Sequence, residues 1–232
     1  MTDLKKNDNP GQTPEILARS AIERSSLYGF LATIFRDEPS EFLLRQIRSD
    51  EFIEAFRGAC ADFDAEGLSE DGDRLAEELA VEFTGLFCGP GGHVSPHGSV
   101  HSDGGGGVLW GAETSKVKSF IEEAGFEYDP GYHGIPDHIS VELEFMAEVV
   151  MKEAEAWREK DFAKASNCLV FENNFLQDHL LKWVFNFCEK VTERARLPFY
   201  RDFARLTADF MESEKIETVD RMGRAVYLQA SR

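Results

Sequence analysis

Apolar residues recur at intervals of three or four along most of the chain, with polar residues between them. This spacing is typical of amphipathic helices, which bury one face. It predicts helices over residues 14–35, 41–57, 71–87, 113–124, 161–171 and 174–192, one from the Asp137–His138 pair to about Lys160, and a last one from Pro198. Strict alternation is not sustained anywhere and β-branched residues are sparse, so strands are not expected. The pattern predicts an all-α fold, a single helical bundle of about eight to ten helices.

The chain of 232 residues shows no internal repeat and no clear domain linker. This length is sufficient for one sizeable core or two small ones. We expect a disordered N-terminal tail over residues 1–12, one all-helical domain over 13–212 and a polar, mobile C-terminal tail over 213–232.

The helix that begins near Pro136 joins an apolar stripe to a polar first turn. The stripe has a period near 3.6 and should face the core: Ile139, Leu143, Met146, Val150, Ala154 and Trp157. Asp137 and His138 are adjacent, and Glu142 follows His138 by four residues, on the same face. Such a polar cluster predicts a peptide-binding groove or an active site. The alternative is that Asp137 only caps the helix, His138 is structural and Glu142 is solvated.

Residues 89–111 form the one long irregular segment, and it is rich in glycine. Loops of this length without their own secondary structure are usually functional or disordered. The glycines do not precede a Gly-Lys-Ser/Thr sequence and do not follow a strand, so a phosphate-binding loop is a poor interpretation.

Three histidines of this segment, His93, His97 and His101, are spaced by four residues, and Cys88 lies nearby. On a helix this spacing would suit a metal. Pro96 and the glycines make a continuous helix there improbable, so we predict no metal and no cofactor. A small metal-dependent hydrolase that uses His93, His97, His101 and Cys88 remains the alternative.

The composition is that of a globular protein, with 42% hydrophobic and 12% aromatic residues. The net charge of −18 argues against nucleic-acid binding, which needs clusters of Lys and Arg. It suits a cationic partner, although an acidic surface is more often a solubility device.

Several features bear on the compartment. No apolar run reaches the roughly 20 residues that cross a bilayer, so no stable membrane insertion is expected. Residues 1–12 lack the apolar centre of a secretory signal. The four cysteines are irregularly spaced and are expected to be reduced, mostly buried thiols. We therefore predict a cytoplasmic protein.

Four motifs carry a family resemblance. They are Phe83-x-x-Leu86-Phe87-x-Gly89-Pro90-Gly91, Ser95-Pro96-x-x-Ser99-Val100, Gly111-x-x-Thr114, and Pro136-Asp137-His138-Ile139-x-x-Glu142-Leu143-x-Phe145-Met146. In this order and spacing they resemble the TorD/DmsD family of cytoplasmic redox-enzyme maturation chaperones. The resemblance runs from the Arg24-x-x-x-Tyr28-x-x-Leu31 sequence to Phe199-Tyr200.

The resemblance implies an all-α chaperone, not an enzyme. Its partners would be the twin-arginine signal peptide and the apo catalytic subunit of a molybdenum-cofactor enzyme. Export would be delayed until the cofactor is inserted. The chaperone would be a monomer or a helix-swapped homodimer.

A twin-arginine signal peptide needs carboxylates for its arginines and a groove for its apolar segment. The predicted site places Asp137, His138 and Glu142 at the arginines and Phe83, Leu86, Phe87 and Trp110 in the groove walls. Pro90, Pro96, His97 and Ser99 of the loop, with Tyr28 of the first helix, complete the predicted site. A third hypothesis is a nucleotide-binding switch, since some family members are reported to bind GTP. The lack of a phosphate-binding loop disfavours it.

Overall fold

The computed structural model describes residues 13–59, 72–89, 92–101, 108–128 and 134–230. The helices of these ranges are α1 (Pro14–Arg36), α2 (Glu41–Ile47), α3 (Asp50–Ala59), α4 (Gly72–Phe83), α5 (Gly98–His101), α6 (Ala112–Glu123), α7 (Ile139–Glu159), α8 (Phe162–Asp178), α9 (Val184–Arg194) and α10 (Pro198–Ala230). A π-helical turn, Thr84–Cys88, follows α4, and a 3₁₀ turn, Leu180–Lys182, precedes α9. The described ranges contain no strand, so the prediction of an all-α bundle is confirmed.

The centre of the bundle is the pairing of α1 with α7. Helix α1 begins where the Thr13 hydroxyl accepts a hydrogen bond from the Ile16 amide, with Pro14 in the first helical position. The predicted stripe of α7, from Ile139 to Trp157, is buried throughout. Burial of this stripe against α1 holds α7 in place, because removal of apolar surface from water is the main favourable term in folding.

Two helix boundaries differ from the prediction. The segment 41–57 is broken after Ile47, because the Ser49 hydroxyl accepts from the Phe52 amide and starts α3. Helix α8 continues past residue 171 to Asp178, and the chain then bends through the 3₁₀ turn. The bend brings His179 and Trp183 to one side of the bundle, where the candidate site lies.

The prediction of a separate polar C-terminal tail is wrong. Helix α10 runs without a break from Pro198 to Ala230, and Glu214, Thr218, Arg221 and Ala225 on it are buried. The buried polar residues of this segment find partners inside the protein, whereas the others face water. The predicted tail over residues 1–12 lies outside the described residues.

A polar layer crosses the bundle and is built from α1, α7, α8 and α10. It consists of Arg24, Tyr28, Glu153, Glu172, Glu214 and Arg221. Arg24 Nη1 lies 2.8 Å from Glu153 and Nη2 lies 2.8 Å from Glu214, and Arg24 also bonds Glu172. Arg221 donates to Glu214 at 2.6 Å, and the Tyr28 hydroxyl donates to it at 3.0 Å. The layer separates a large apolar core from a small one near Trp157 and Phe162.

None of the described helices is long and apolar enough to cross a membrane. Cys88, Cys168 and Cys188 are free thiols, with Cys88 exposed and Cys188 buried. Cys60 lies outside the described residues.

Candidate functional site

The irregular segment is docked on the start of α7 by backbone hydrogen bonds. The Gly98 amide donates to the Asp137 carbonyl at 2.9 Å, and the Ile139 amide donates to the Pro96 carbonyl at 2.8 Å. These bonds form an isolated antiparallel bridge between His97 and His138. The two most informative motifs of the sequence therefore meet in one place.

Asp137 is buried, with only 1% of its surface exposed. Its Oδ2 accepts a hydrogen bond from the Ser99 amide at 2.7 Å. The start of its own helix is capped instead by His138, whose Nδ1 accepts from the Ser140 amide at 3.2 Å. The alternative that Asp137 only caps its own helix is therefore wrong. Its second oxygen, Oδ1, has no hydrogen-bond partner among the described residues.

Glu142 lies one turn into α7 and is equally buried, at 1% exposure. Its Oε2 accepts from the indole N–H of Trp183 at 3.3 Å, whereas Oε1 has no partner in the described part of the chain. Burial raises the pKa of Glu142 well above its ordinary value; the Trp183 hydrogen bond opposes this shift and the Asp137 carboxylate adds to it. The alternative that Glu142 is a solvated surface carboxylate is wrong.

Trp183 forms one wall of the site. The His101 ring stacks on it, with ring centroids 5.6 Å apart and an interplanar angle of 15°. Gly98 packs against the same indole, and a Cβ placed there would lie 2.8 Å from Trp183 Nε1. This position therefore requires glycine because of contact, not backbone conformation.

The histidines of the segment have separate partners. His101 Nε2 donates to the Ser95 carbonyl at 2.6 Å, and its Nδ1 lies 3.3 Å from Lys190 Nζ. The His97 ring packs on His138, centroid to centroid at 5.0 Å, and His93 is exposed. Within the described ranges, no three His, Cys, Asp or Glu residues are grouped to hold a metal ion. The geometry therefore does not support the metal-dependent hydrolase.

The Nδ1 atom of His138 is engaged with Ser140, so His138 caps the helix and is not bonded to the Asp137 side chain. Burial lowers the pKa of His138 to about 4, with His97 and Arg36 contributing in the same direction. The imidazole is therefore neutral at neutral pH, as a helix cap that accepts a hydrogen bond must be.

A cleft opens between α6 and the α8–α9 bend. It has a volume of about 530 Å³ and is lined by Ser115, Lys116, Ser119, Phe120, Glu123, Asp178, His179 and Lys182. Asp178, His179 and Lys182 also line a small inner pocket of about 10 Å³, whose other walls include Asp137, Glu142, Ser99 and Trp183. The two buried carboxylates thus lie below the cleft.

The inner pocket is short of hydrogen-bond partners. Besides the two carboxylate oxygens, Ser99 Oγ and His179 Nδ1 have none among the described residues. Buried polar atoms in native proteins are usually paired with protein or water. The volume suffices for about one water molecule. The arrangement can therefore accept a small donor-rich group, and a larger one only if a wall moves.

The other predicted site residues lie in different surroundings. Phe83, Leu86 and Phe87 are buried in the large core, so they do not form the walls of an open groove. Tyr28 belongs to the polar layer. Pro90 lies outside the described residues, whereas Pro96 and Ser99 contribute the backbone bonds that dock the loop.

Trp110 is the one predicted wall residue that is exposed, at 64%. Its φ of 63° lies in the left-handed region, which is rare for a bulky residue. It stands two residues before α6, one wall of the cleft, and Val108 and Leu109 beside it are also exposed.

The sequence did not identify His179, Lys182 or Trp183 as site residues. They were counted as part of a buried helix over 174–192. The available signal was chemical: a tryptophan N–H and a histidine on an apolar helix each need a polar partner.

Comparison with known proteins agrees with this fold. The crystal structure of an Archaeoglobus fulgidus protein assigned to redox-enzyme maturation superposes with a TM-score of 0.51 and 23% identity, covering 82% of this chain and 93% of that one. The chaperone protein TorD of Vibrio cholerae is 26% identical over 207 residues, 83% of this chain and 90% of that protein. TorD of Shewanella pealeana is 26% identical over 207 residues, covering 82% of this chain and 87% of that protein.

The fold is thus an all-α bundle of the kind seen in that crystal structure. The sequence profile of the nitrate reductase delta subunit family matches residues 49–189, more than half of the chain. The protein belongs to that TorD-like family, and the resemblance found in the sequence is confirmed.

Proposed function

We propose that the protein is a cytoplasmic maturation chaperone, not an enzyme. It binds the twin-arginine signal peptide and the apo catalytic subunit of a molybdenum-cofactor oxidoreductase, assists cofactor insertion and delays export until the subunit is mature. Membership of the family and relatives that are themselves chaperones support this proposal. The hydrolase and nucleotide-switch alternatives have no comparable observation in their favour.

The observation that carries the proposal is the pair of unpartnered carboxylate oxygens below the cleft, Asp137 Oδ1 and Glu142 Oε1. A guanidinium group has five N–H donors in a planar fork and is the natural partner of such acceptors. It would replace the missing hydrogen bonds and hold Glu142 in its charged form. The cleft itself is balanced in charge, with Glu123 and Asp178 against Lys116 and Lys182, so the attraction for an arginine comes from the two buried carboxylates.

The inner pocket is too small for a guanidinium as it stands, so binding requires a wall to rotate. Trp183 and His179 are the side chains between cleft and carboxylates. The apolar segment of the leader would lie on the exposed Val108–Trp110 stretch beside the cleft. This arrangement separates the arginine contacts from the apolar contacts of the peptide.

The test is calorimetric titration of the purified chain with a synthetic leader peptide and with the same peptide carrying Lys-Lys. Lysine cannot form the bidentate contact, so its peptide should bind more weakly. Glu142→Gln should weaken the Arg-Arg peptide by roughly 10- to 150-fold, which corresponds to a charged hydrogen bond of about 1.5–3 kcal/mol.

Two matched controls separate the site from general charge. Glu148→Gln removes an exposed carboxylate from the same helix and should leave the affinity unchanged. Asp161→Asn alters an exposed helix cap that accepts from the Lys164 amide, and serves as the control for Asp137→Asn. Equal binding of both peptides, or equal effects of site and control variants in folded protein, would refute the arginine site.

The client is identified by capture of partners on the tagged protein in its own host, followed by mass spectrometry. The proposal expects a large molybdoenzyme subunit that still carries its leader. Recovery of only mature, leader-free subunits would count against signal-peptide binding.

A further inference from the structure

The second half of α10 has two different faces, one buried and one exposed. One face packs inward and includes the buried Thr218, Arg221 and Ala225. On the opposite face, Ile216, Val219, Val226 and Tyr227 are 57–61% exposed. Successive members of this set are three, seven and one residues apart, which places them along one side of the helix. We call these four residues, with Gly223 between them, the outer stripe.

Gly223 is not explained by the packing of its own chain. It lies inside a helix, where glycine is less favourable than alanine. No atom lies within 4 Å of the position that a Cβ would occupy, and its φ is not positive. Neither crowding nor backbone conformation within the described protein therefore calls for glycine. A glycine in the middle of an apolar stripe does allow another helix to approach closely.

The charges on this segment suit a second copy of the same chain. The protein carries a net charge of −18, so two copies repel each other over most of their surfaces. Residues 215–230 are different: their surface cations Lys215 and Arg224 balance their surface carboxylates Glu217 and Asp220, while Arg221 is buried in the polar layer. Asp220 and Arg224 form no ion pair with another described residue, and they lie four residues apart on the same flank of the stripe.

An antiparallel arrangement pairs these two charges. If two α10 helices cross at Gly223 about a two-fold axis, Val219 of one copy faces Tyr227 of the other. With a rise of 1.5 Å per residue, Asp220 then lies about 3 Å along the axis from Arg224 of the second copy. A two-fold axis repeats each contact, so the interface contains the pair twice. We propose that the outer stripe is a self-association surface on which a second copy of this chain docks antiparallel, crossing at Gly223.

The surface is small. A stable specific interface needs about 800 Å² on each partner, more than these few side chains supply. The proposed dimer is therefore weak and depends on protein concentration. It is independent of the arginine site, which lies among α5, α6, α7 and the α8–α9 bend, so either proposal can fail alone.

The first experiment is sedimentation velocity on the full chain from micromolar to several hundred micromolar. The expected result is a reversible shift from monomer to dimer that Val219→Glu abolishes. Gly223→Ala should weaken the dimer while raising the thermal stability of the monomer, because alanine favours the helix. A substitution that damaged the structure would instead lower both the dimer affinity and the thermal stability of the monomer. A wild-type chain that stays monomeric at all concentrations, or dimers that Val219→Glu leaves intact, would overturn the proposal.

A charge exchange tests the antiparallel register. Asp220→Arg and Arg224→Asp should each weaken association about fivefold, as expected for exposed ion pairs that become repulsive. The double variant restores opposite charges across the axis and should recover most of the affinity. If the double variant loses as much dimer affinity as the two single variants together, Asp220 and Arg224 do not face each other and this register is wrong.

Discussion

The polar layer and the inner pocket both bury acidic side chains, but only the polar layer also buries the cations that pair with them. In the polar layer, Arg24 contacts three glutamates and Arg221 contacts one of them. In the inner pocket, Asp137 and Glu142 each keep an oxygen without a partner among the described residues. Glu172 of the polar layer also has one oxygen without a partner, but its other oxygen is paired with Arg24, whereas no described cation pairs with Asp137 or Glu142. The contrast indicates different roles, because buried charges that serve stability are paired with a counter-charge, whereas buried carboxylates without one can accept a cation.

The largest expected effect is loss of the central cation of the polar layer. Arg24→Ala leaves buried carboxylates without their counter-charge, which costs about 3–5 kcal/mol of unfolding free energy. Denaturant unfolding followed by circular dichroism measures this loss. Arg19→Ala on the same helix is the control, since Arg19 forms only an exposed pair with Glu23. Comparable losses in the two variants would mean that the layer contributes no more than a surface charge.

In the candidate site, the variant to compare with Arg24→Ala changes the packing of a side chain and not a charge. Gly98→Ala places a methyl group against the Trp183 indole, and overpacking of this kind costs about 1–3 kcal/mol. Unfolding measurements should show this loss, and leader binding should fall with it because Trp183 is displaced. Gly85→Ala has open space around its Cβ and serves as the control. An unchanged Gly98→Ala variant would show that the loop is not docked as described.

The two regions should also respond to pH in opposite directions. Burial and Glu153 raise the pKa of Glu172 to about 8, while Arg24 opposes the shift. A carboxyl group with a raised folded-state pKa contributes stability at low pH that is lost as the pH rises from about 4.5 through 8. Glu172→Gln, which resembles the protonated acid, should flatten this alkaline loss. If stability in this range is the same for both proteins, Glu172 is ionised throughout.

His138 gives the smaller, opposite response. Its pKa of about 4 lies below the ordinary value of 6.5, so its contribution is present above pH 6.5 and is lost as the pH falls towards 4. His138→Ser keeps a helix-capping side chain but does not titrate. The variant should lose less stability than the wild type between pH 6.5 and 4. An identical acid profile would assign the loss to other groups.

The sequence was most informative where a signal is local. The period of apolar residues placed α1 and α7 almost to the residue, and it identified the buried stripe of α7. The Asp137–Glu142 motif was recognised because its residues are close in sequence. The sequence could not decide whether Asp137 caps its own helix, since its partner is a backbone amide of a loop about 40 residues away.

The misjudged segments depend on distant partners. Residues after Ser213 have the polarity of a solvated tail. Glu214 among them is nevertheless buried, because it is bonded to Arg24 and Tyr28 near the other end of the chain. Phe83, Leu86 and Phe87 were expected to line a groove, and periodicity alone could not distinguish groove from core. Trp183 was missed because the bend before α9 turns it towards the site.

The polar layer also has a consequence for how the bundle opens. Along α1, α7, α8 and α10 the charged residues interrupt apolar contact, with the larger core on one side and the smaller core around Trp157 on the other. Apolar contacts alone would therefore couple the two ends of these helices poorly. The charge pairs are what join the halves into one cooperative unit. The end containing Ala18, Phe162 and Ala225 is the part that local unfolding would release first, with the end that carries the inner pocket still folded.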